Sequence, residues 1–137
     1  MNDKEARMVL IKAPYWLGIG ADALWAVALF VPAVYGALTG NSDFNPDLQH
    51  RLTMGLGGTM MTGWTLLLMW AVREPVERRF VILLTAFPVV FGLFIVALVG
   101  FLAGNTFELW ILIKSAVLFS TMIMSYVMAR RISKEGV

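Results

Sequence analysis

The chain has 137 residues, of which 59% are hydrophobic and only 15% charged, with a formal charge of +2. An ordinary soluble domain carries roughly 25% charged residues, so this composition excludes the ordinary soluble class. Cysteine is absent, which excludes disulfides, thiolate metal sites and thiol nucleophiles.

The polar segment Met1 to Lys12 precedes the first apolar run, Tyr15 to Leu38, whose one charge is Asp22. The run is too long for a signal-peptide core and lacks a small-residue cleavage site, so it reads as a retained span. Gly40 is placed to cap its end in the left-handed region. In the loop that follows, Asn45 before Pro46 reads as an N-cap and first helical position, with Asp47 in the first turn. Asp43, Phe44, Asn45, Pro46 and Asp47 copy the opening of a calcium loop, but Leu48 replaces its glycine and Met54 its closing glutamate. His50, the sole histidine, completes a polar outer loop with Asp43 and Asp47.

Leu52 to Val72 is an uncharged second run. Gly55, Thr59 and Gly63 recur in it every four residues, with Gly58 and Thr62 beside them. This small-residue face would let another backbone approach closely in lipid. A tight loop with Pro75 leads to the third run, Phe80 to Ala103, where Pro88 should break the hydrogen-bond ladder and free a carbonyl near Leu84. Asn105 and Glu108 then fit a capping box. The fourth run, Phe107 to Ala129, carries Lys114 further in, on a stripe with Trp110, Leu118, Thr121 and Ser125.

Each run meets the requirement of about 20 residues for a membrane-spanning helix, and in lipid only a helix satisfies the backbone of such a segment. The expected fold is all-α: a single-domain integral membrane four-helix bundle, up-down-up-down, with spans near 15–38, 52–72, 80–103 and 107–129. Lys4, Arg7, Lys12, Arg73, Arg78, Arg79, Arg130, Arg131 and Lys134 fall on one face and Arg51 alone on the other. The positive-inside rule therefore puts both termini in the cytoplasm, in a multi-pass protein of the cell membrane. So strong a bias argues against dual topology. Trp16, Trp25, Trp64, Trp70 and Trp110 include several near the expected interfaces.

A charge at a helix centre costs about 2.5–3.5 kcal/mol on insertion scales, so Asp22 and Lys114 each need a partner, a water path or a function. Asp22 has Gly18, Ala21, Trp25 and Ala26 as helical neighbours, so it should point into the bundle or an oligomer seam. It could be a proton or cation site, or a carboxyl held by a threonine or backbone group of helix 2. Lys114 could line a cavity with Thr121 and Ser125, or snorkel outward. Lying roughly 10 Å apart along the membrane normal, the two do not suit one direct salt bridge.

No Ser/His/Asp set, P-loop or HExxH is present, and the sequence implies no catalytic residue, metal or other cofactor. In size, four spans and cytoplasmic termini the chain resembles the small prokaryotic membrane proteins around the DoxX-like families. The resemblance covers the architecture without a diagnostic motif, and it implies a fold but no site residue. The expected partners are the lipid bilayer and either further copies of the chain or a larger membrane complex, and no nucleic acid. The expected function is passage or exchange of a small solute or ion. A non-catalytic subunit of a larger membrane complex is the alternative, and a lipid- or quinone-directed enzyme a distant third.

Overall fold

A computed structural model describes residues 3–41, 43–104 and 108–135, with the side chains of Asp3, Lys4, Glu108 and Glu135 outside the description. All regular structure among these residues is helical: α1 Asp3–Phe30, α2 Pro32–Thr39, α3 Leu48–Ala71, α4 Arg79–Leu84, a π-helical turn Thr85–Val90, α5 Phe91–Leu102 and α6 Glu108–Glu135. Among the described residues three segments are long and apolar enough to cross a membrane, Glu5–Phe30, Arg79–Leu102 and Leu109–Lys134. Only 33%, 28% and 22% of their most apolar windows are buried within the chain. Large apolar side chains such as Val27, Val96, Val99 and Val117 therefore face outward, which supports residence in a membrane. The expected second span, 52–72, is not among the three. Its helix α3 is 24 residues long, but its four glycines and four threonines dilute its hydropathy.

Several helix boundaries differ from the sequence reading, each for a local reason. The first helix begins at Asp3, not near Tyr15, and carries Pro14 inside it. It stops at Phe30, because Pro32 holds Val31 extended at φ −119° and ψ 97° and starts α2. A residue before proline is disfavoured in the helical region, so the expected run 15–38 is two helices. Gly40 caps α2 in the left-handed region as expected, at φ 73°. The N-cap of α3 is Asp47 and not Asn45. Asp47 Oδ1 accepts the His50 N–H at 2.8 Å, the side-chain-to-N3 bond of a capping residue. Asn45 Oδ1 instead accepts from Arg51 Nη2 at 3.2 Å. Pro88 disrupts its helix as expected, and the chain absorbs the missing donor by widening one turn to π geometry. There the Phe91 N–H reaches back five residues to Ala86 O. The expected capping box at Asn105 and Glu108 lies outside the described residues.

The chain forms two compact units, one of Met1–Leu17 with Leu68–Val137 and the other of Gly18–Leu67. In the first, which holds both termini, the α4–π–α5 segment packs on α6. Phe80 meets Tyr126 at 6.1 Å between ring centroids, and Phe87 and Phe91 meet Phe119 at 5.6 and 5.9 Å. Numbers rise along one helix as they fall along the other, so the two run antiparallel. The start of α1 joins the same unit through a buried hydrogen bond, Ser125 Oγ to Ile11 O at 2.8 Å. At one end of the unit Arg79 Nη1 donates to Ser133 Oγ at 3.2 Å. Beside it Arg78 lies 3.8 Å over the Trp70 ring, donates to Trp70 O and pairs with Glu74.

In the Gly18–Leu67 unit the end of α1 packs against α3. A Cβ on Gly58 would meet the Phe30 ring at 3.1 Å, and one on Gly57 would meet Leu29 at 3.4 Å. Gly36 lets the loop after α2 fold back, with the Asn41 N–H bonded to Gly36 O at 2.8 Å. Trp25, Tyr35, Phe44 and His50 then follow one another in ring contact at 6.0, 4.7 and 5.6 Å.

Candidate functional site at Asp22

Helix α1 carries a buried line through Tyr15, Ile19, Asp22 and Ala26, at the three- and four-residue steps that keep side chains on one helical face. Gly20, Leu24 and Val27 lie on the exposed side. The register that buries Ile19 and Ala26 therefore carries a carboxylate in with them. Asp22 is only 9% exposed, and its Oδ2 is inaccessible and has no hydrogen-bond partner among the described residues. Buried polar atoms are overwhelmingly paired, and an orphan asks for a reason.

Threonines of α3 were one expected source of a partner, but their hydroxyls are engaged at home. Thr59, Thr62 and Thr65 donate to Gly55 O, Gly58 O and Met61 O at 2.8–2.9 Å. These are bonds back to the i−4 carbonyl, the usual resting place of a hydroxyl in an apolar helix. What remains at Oδ2 is a shielded acceptor, able to take a proton.

The other residues singled out in the sequence are distributed as follows. Lys114 is exposed on α6, whose buried line passes instead through Leu112, Ser115, Met122, Ser125 and Ala129. Thr121 is half-buried and its hydroxyl donates to Leu118 O at 2.9 Å. Ser125 is 1% exposed, with its hydroxyl proton committed to Ile11 O. On α3, Gly58 is buried, while Thr59, Thr62 and Gly63 are exposed. A Cβ at Gly55 or Gly63 would meet nothing within 4 Å. Asp43, Asp47 and His50 are exposed at the loop before α3, and Asp47 and His50 line an open cleft of about 370 Å³ with Gln49 and Thr53. The Glu108 side chain is outside the described residues.

Three buried hydroxyls escaped the sequence reading: Thr65, Thr85 and Ser115. Thr85 donates to Val81 O in the preceding turn of α4, and Ser115 to Ile111 O within α6. A self-bonded hydroxyl in an apolar run carries the same sequence signal as a small packing residue, so nothing in the pattern distinguishes the two.

No protein-family model, no curated protein and no solved structure matches this chain.

Proposed function

We propose that the protein is an integral membrane protein that passes or exchanges a small solute or ion, with Asp22 as the exchanging group. One observation carries the reading: a carboxylate oxygen within a membrane-length helix, shielded and unpartnered. Intramembrane ionisable residues are costly, and a functional role is the default reading for one. A single carboxylate suits a proton or a small cation. Lys114, exposed on α6, fits the snorkelling role better than the lining of a route through the chain's own interior. In proteoliposomes the wild-type protein is expected to dissipate an imposed proton or cation gradient, and Asp22→Asn to abolish that flux while leaving reconstitution intact. Equal flux from the two proteins would refute the proposal.

The reading includes four crossings of the cell membrane with both termini inside, in a bundle like that of the DoxX-like proteins. The start of α1, the turn before α4 and the end of α6 gather at one end of their unit. Tyr15 OH lies 3.5 Å from Arg78 O, Arg79 bonds Ser133, and Arg7 shares a cleft with Arg131. The chain leaves this unit after Leu17 and rejoins it at Leu68, and the 24 residues of α3 are enough for a returning crossing. The lack of cysteine allows a direct test with single-cysteine variants. Asn41→Cys should react with an impermeant maleimide on intact cells, and Glu77→Cys only after permeabilisation. Labelling of both from the same side would remove α3 as a span.

The edge of α3 formed by half-buried Gly55 and exposed Thr59 and Gly63 favours a second reading, a subunit that packs against further copies or a larger complex through this face. Gly63→Leu should then dissociate the assembly without altering the helix content.

A further inference from the structure

The unit that contains both termini holds a cleft of about 210 Å³ lined by Arg7, Met128, Arg131 and Ile132. Its two arginines come from different helices and meet because α1 and α6 run antiparallel there. The Ser125 to Ile11 hydrogen bond sets the register. Arg7 is one turn before Ile11, and Arg131 fewer than two turns beyond Ser125, in the direction of the same end. Both arginines are exposed, while Met128 and Ile132 are half-buried and supply an apolar wall.

The position along the helices matters as much as the chemistry. Arg7 sits at the beginning of the membrane-length segment Glu5–Phe30, and Arg131 near the finish of Leu109–Lys134. The cleft therefore lies where an apolar span gives way to polar surroundings. On the span side, the outward faces of the same two helices present Leu10 and Met124, 57% and 60% exposed.

We infer that the Arg7–Arg131 cleft binds an anionic phospholipid, with the phosphate between the two guanidinium groups and an acyl chain laid along Met128 and Ile132 toward Leu10 and Met124. Guanidinium forks match phosphate oxygens in shape and charge. Basic pockets between membrane helices hold anionic headgroups by that chemistry. The apolar wall makes the occupant a lipid and not free phosphate, because an inorganic anion gains nothing from Met128, Ile132 or the Leu10 face.

The test uses the full-length protein in phosphatidylcholine micelles, to which phosphatidylglycerol, additional phosphatidylcholine or inorganic phosphate is added. Adducts are read by native mass spectrometry and stability by thermal melting. Phosphatidylglycerol should be retained as a one-to-one adduct and should raise the melting temperature, while the other two additions do neither. The Arg7→Gln/Arg131→Gln double variant should bind phosphatidylglycerol about 25-fold more weakly, roughly fivefold for each guanidinium lost. Arg73→Gln, which removes a basic residue outside the cleft, should bind as the wild type does. If the double variant does not fold, Arg131→Lys serves in its place: it keeps the charge, loses the fork and should weaken the adduct. Equal retention of phosphatidylcholine, a shift reproduced by inorganic phosphate, or full binding by the cleft variants would each overturn the inference.

Discussion

Replacing Asp22 by leucine is expected to stabilise the protein. A buried polar atom without a partner carries its desolvation cost with no hydrogen bond to offset it, about 1–3 kcal/mol. Asp22 Oδ2 is such an atom, and its neighbours on the buried line, Ile19 and Ala26, are apolar. Asp22→Leu should therefore melt higher than the wild type in the same detergent, while its flux in liposomes falls to background. The combination separates the two roles a buried carboxylate can have. A group retained for exchange weakens the fold that carries it, and its removal trades activity for stability. A group retained as a structural hydrogen-bond acceptor would leave an orphaned donor behind when removed, and the variant would melt lower. A lower melting temperature for Asp22→Leu would thus assign Asp22 to structure and remove the basis for an exchange site.

The second large effect is expected at Gly36. A Cβ there would stand 2.5 Å from the backbone oxygen of Asn41 and 3.2 Å from Phe44 Cβ. A backbone oxygen in a tight loop cannot swing aside as a side-chain tip can, so Gly36→Ala must displace the loop itself. That movement breaks the Asn41 N–H bond to Gly36 O and separates the Tyr35 and Phe44 rings, now 4.7 Å apart. The expected loss is about 1–3 kcal/mol, in the range of overpacked sites, read as a lower melting temperature. Gly20→Ala in α1 is the matched control. It adds the same methyl where nothing lies within 4 Å, and in mid-helix alanine is favoured over glycine by about 0.5–1 kcal/mol. If Gly36→Ala melted with the wild type, the folded-back loop after α2 would be wrong.

These two residues also mark how far the sequence could be read. Asp22 was legible because a charge in an apolar run is anomalous whatever the fold, and the three- and four-residue steps around it point to a buried face. Gly40 and Pro88 were legible for a similar reason, since each constrains its own backbone irrespective of neighbours. Gly36 was not legible. Its need for a bare Cα arises from Asn41 and Phe44 folding over it, and nothing within its own helix signals that. The glycines of α3 show the same limit. Gly57 and Gly58 take the intrachain contacts with Leu29 and Phe30, whereas the four-residue repeat of Gly55, Thr59 and Gly63 faces outward. Spacing gives the face, and only the partner helix decides which face is used. The break at Val31 was readable from Pro32, but the apolar run on both sides masked it. Ser125 illustrates the converse: on a mildly polar stripe with Lys114 it reads as cavity lining, yet its hydroxyl serves the helix contact with Ile11 O.

The central claim is that Asp22 communicates with the water and ions outside the protein. Difference infrared spectroscopy on the reconstituted protein, with Asp22→Asn to assign the band, measures this without relying on transport. The carboxyl band of Asp22 should shift when H2O is replaced by D2O and respond to pH or to added cations. A band that ignores solvent exchange, pH and cations alike would make Asp22 a sealed structural group and contradict the proposed function.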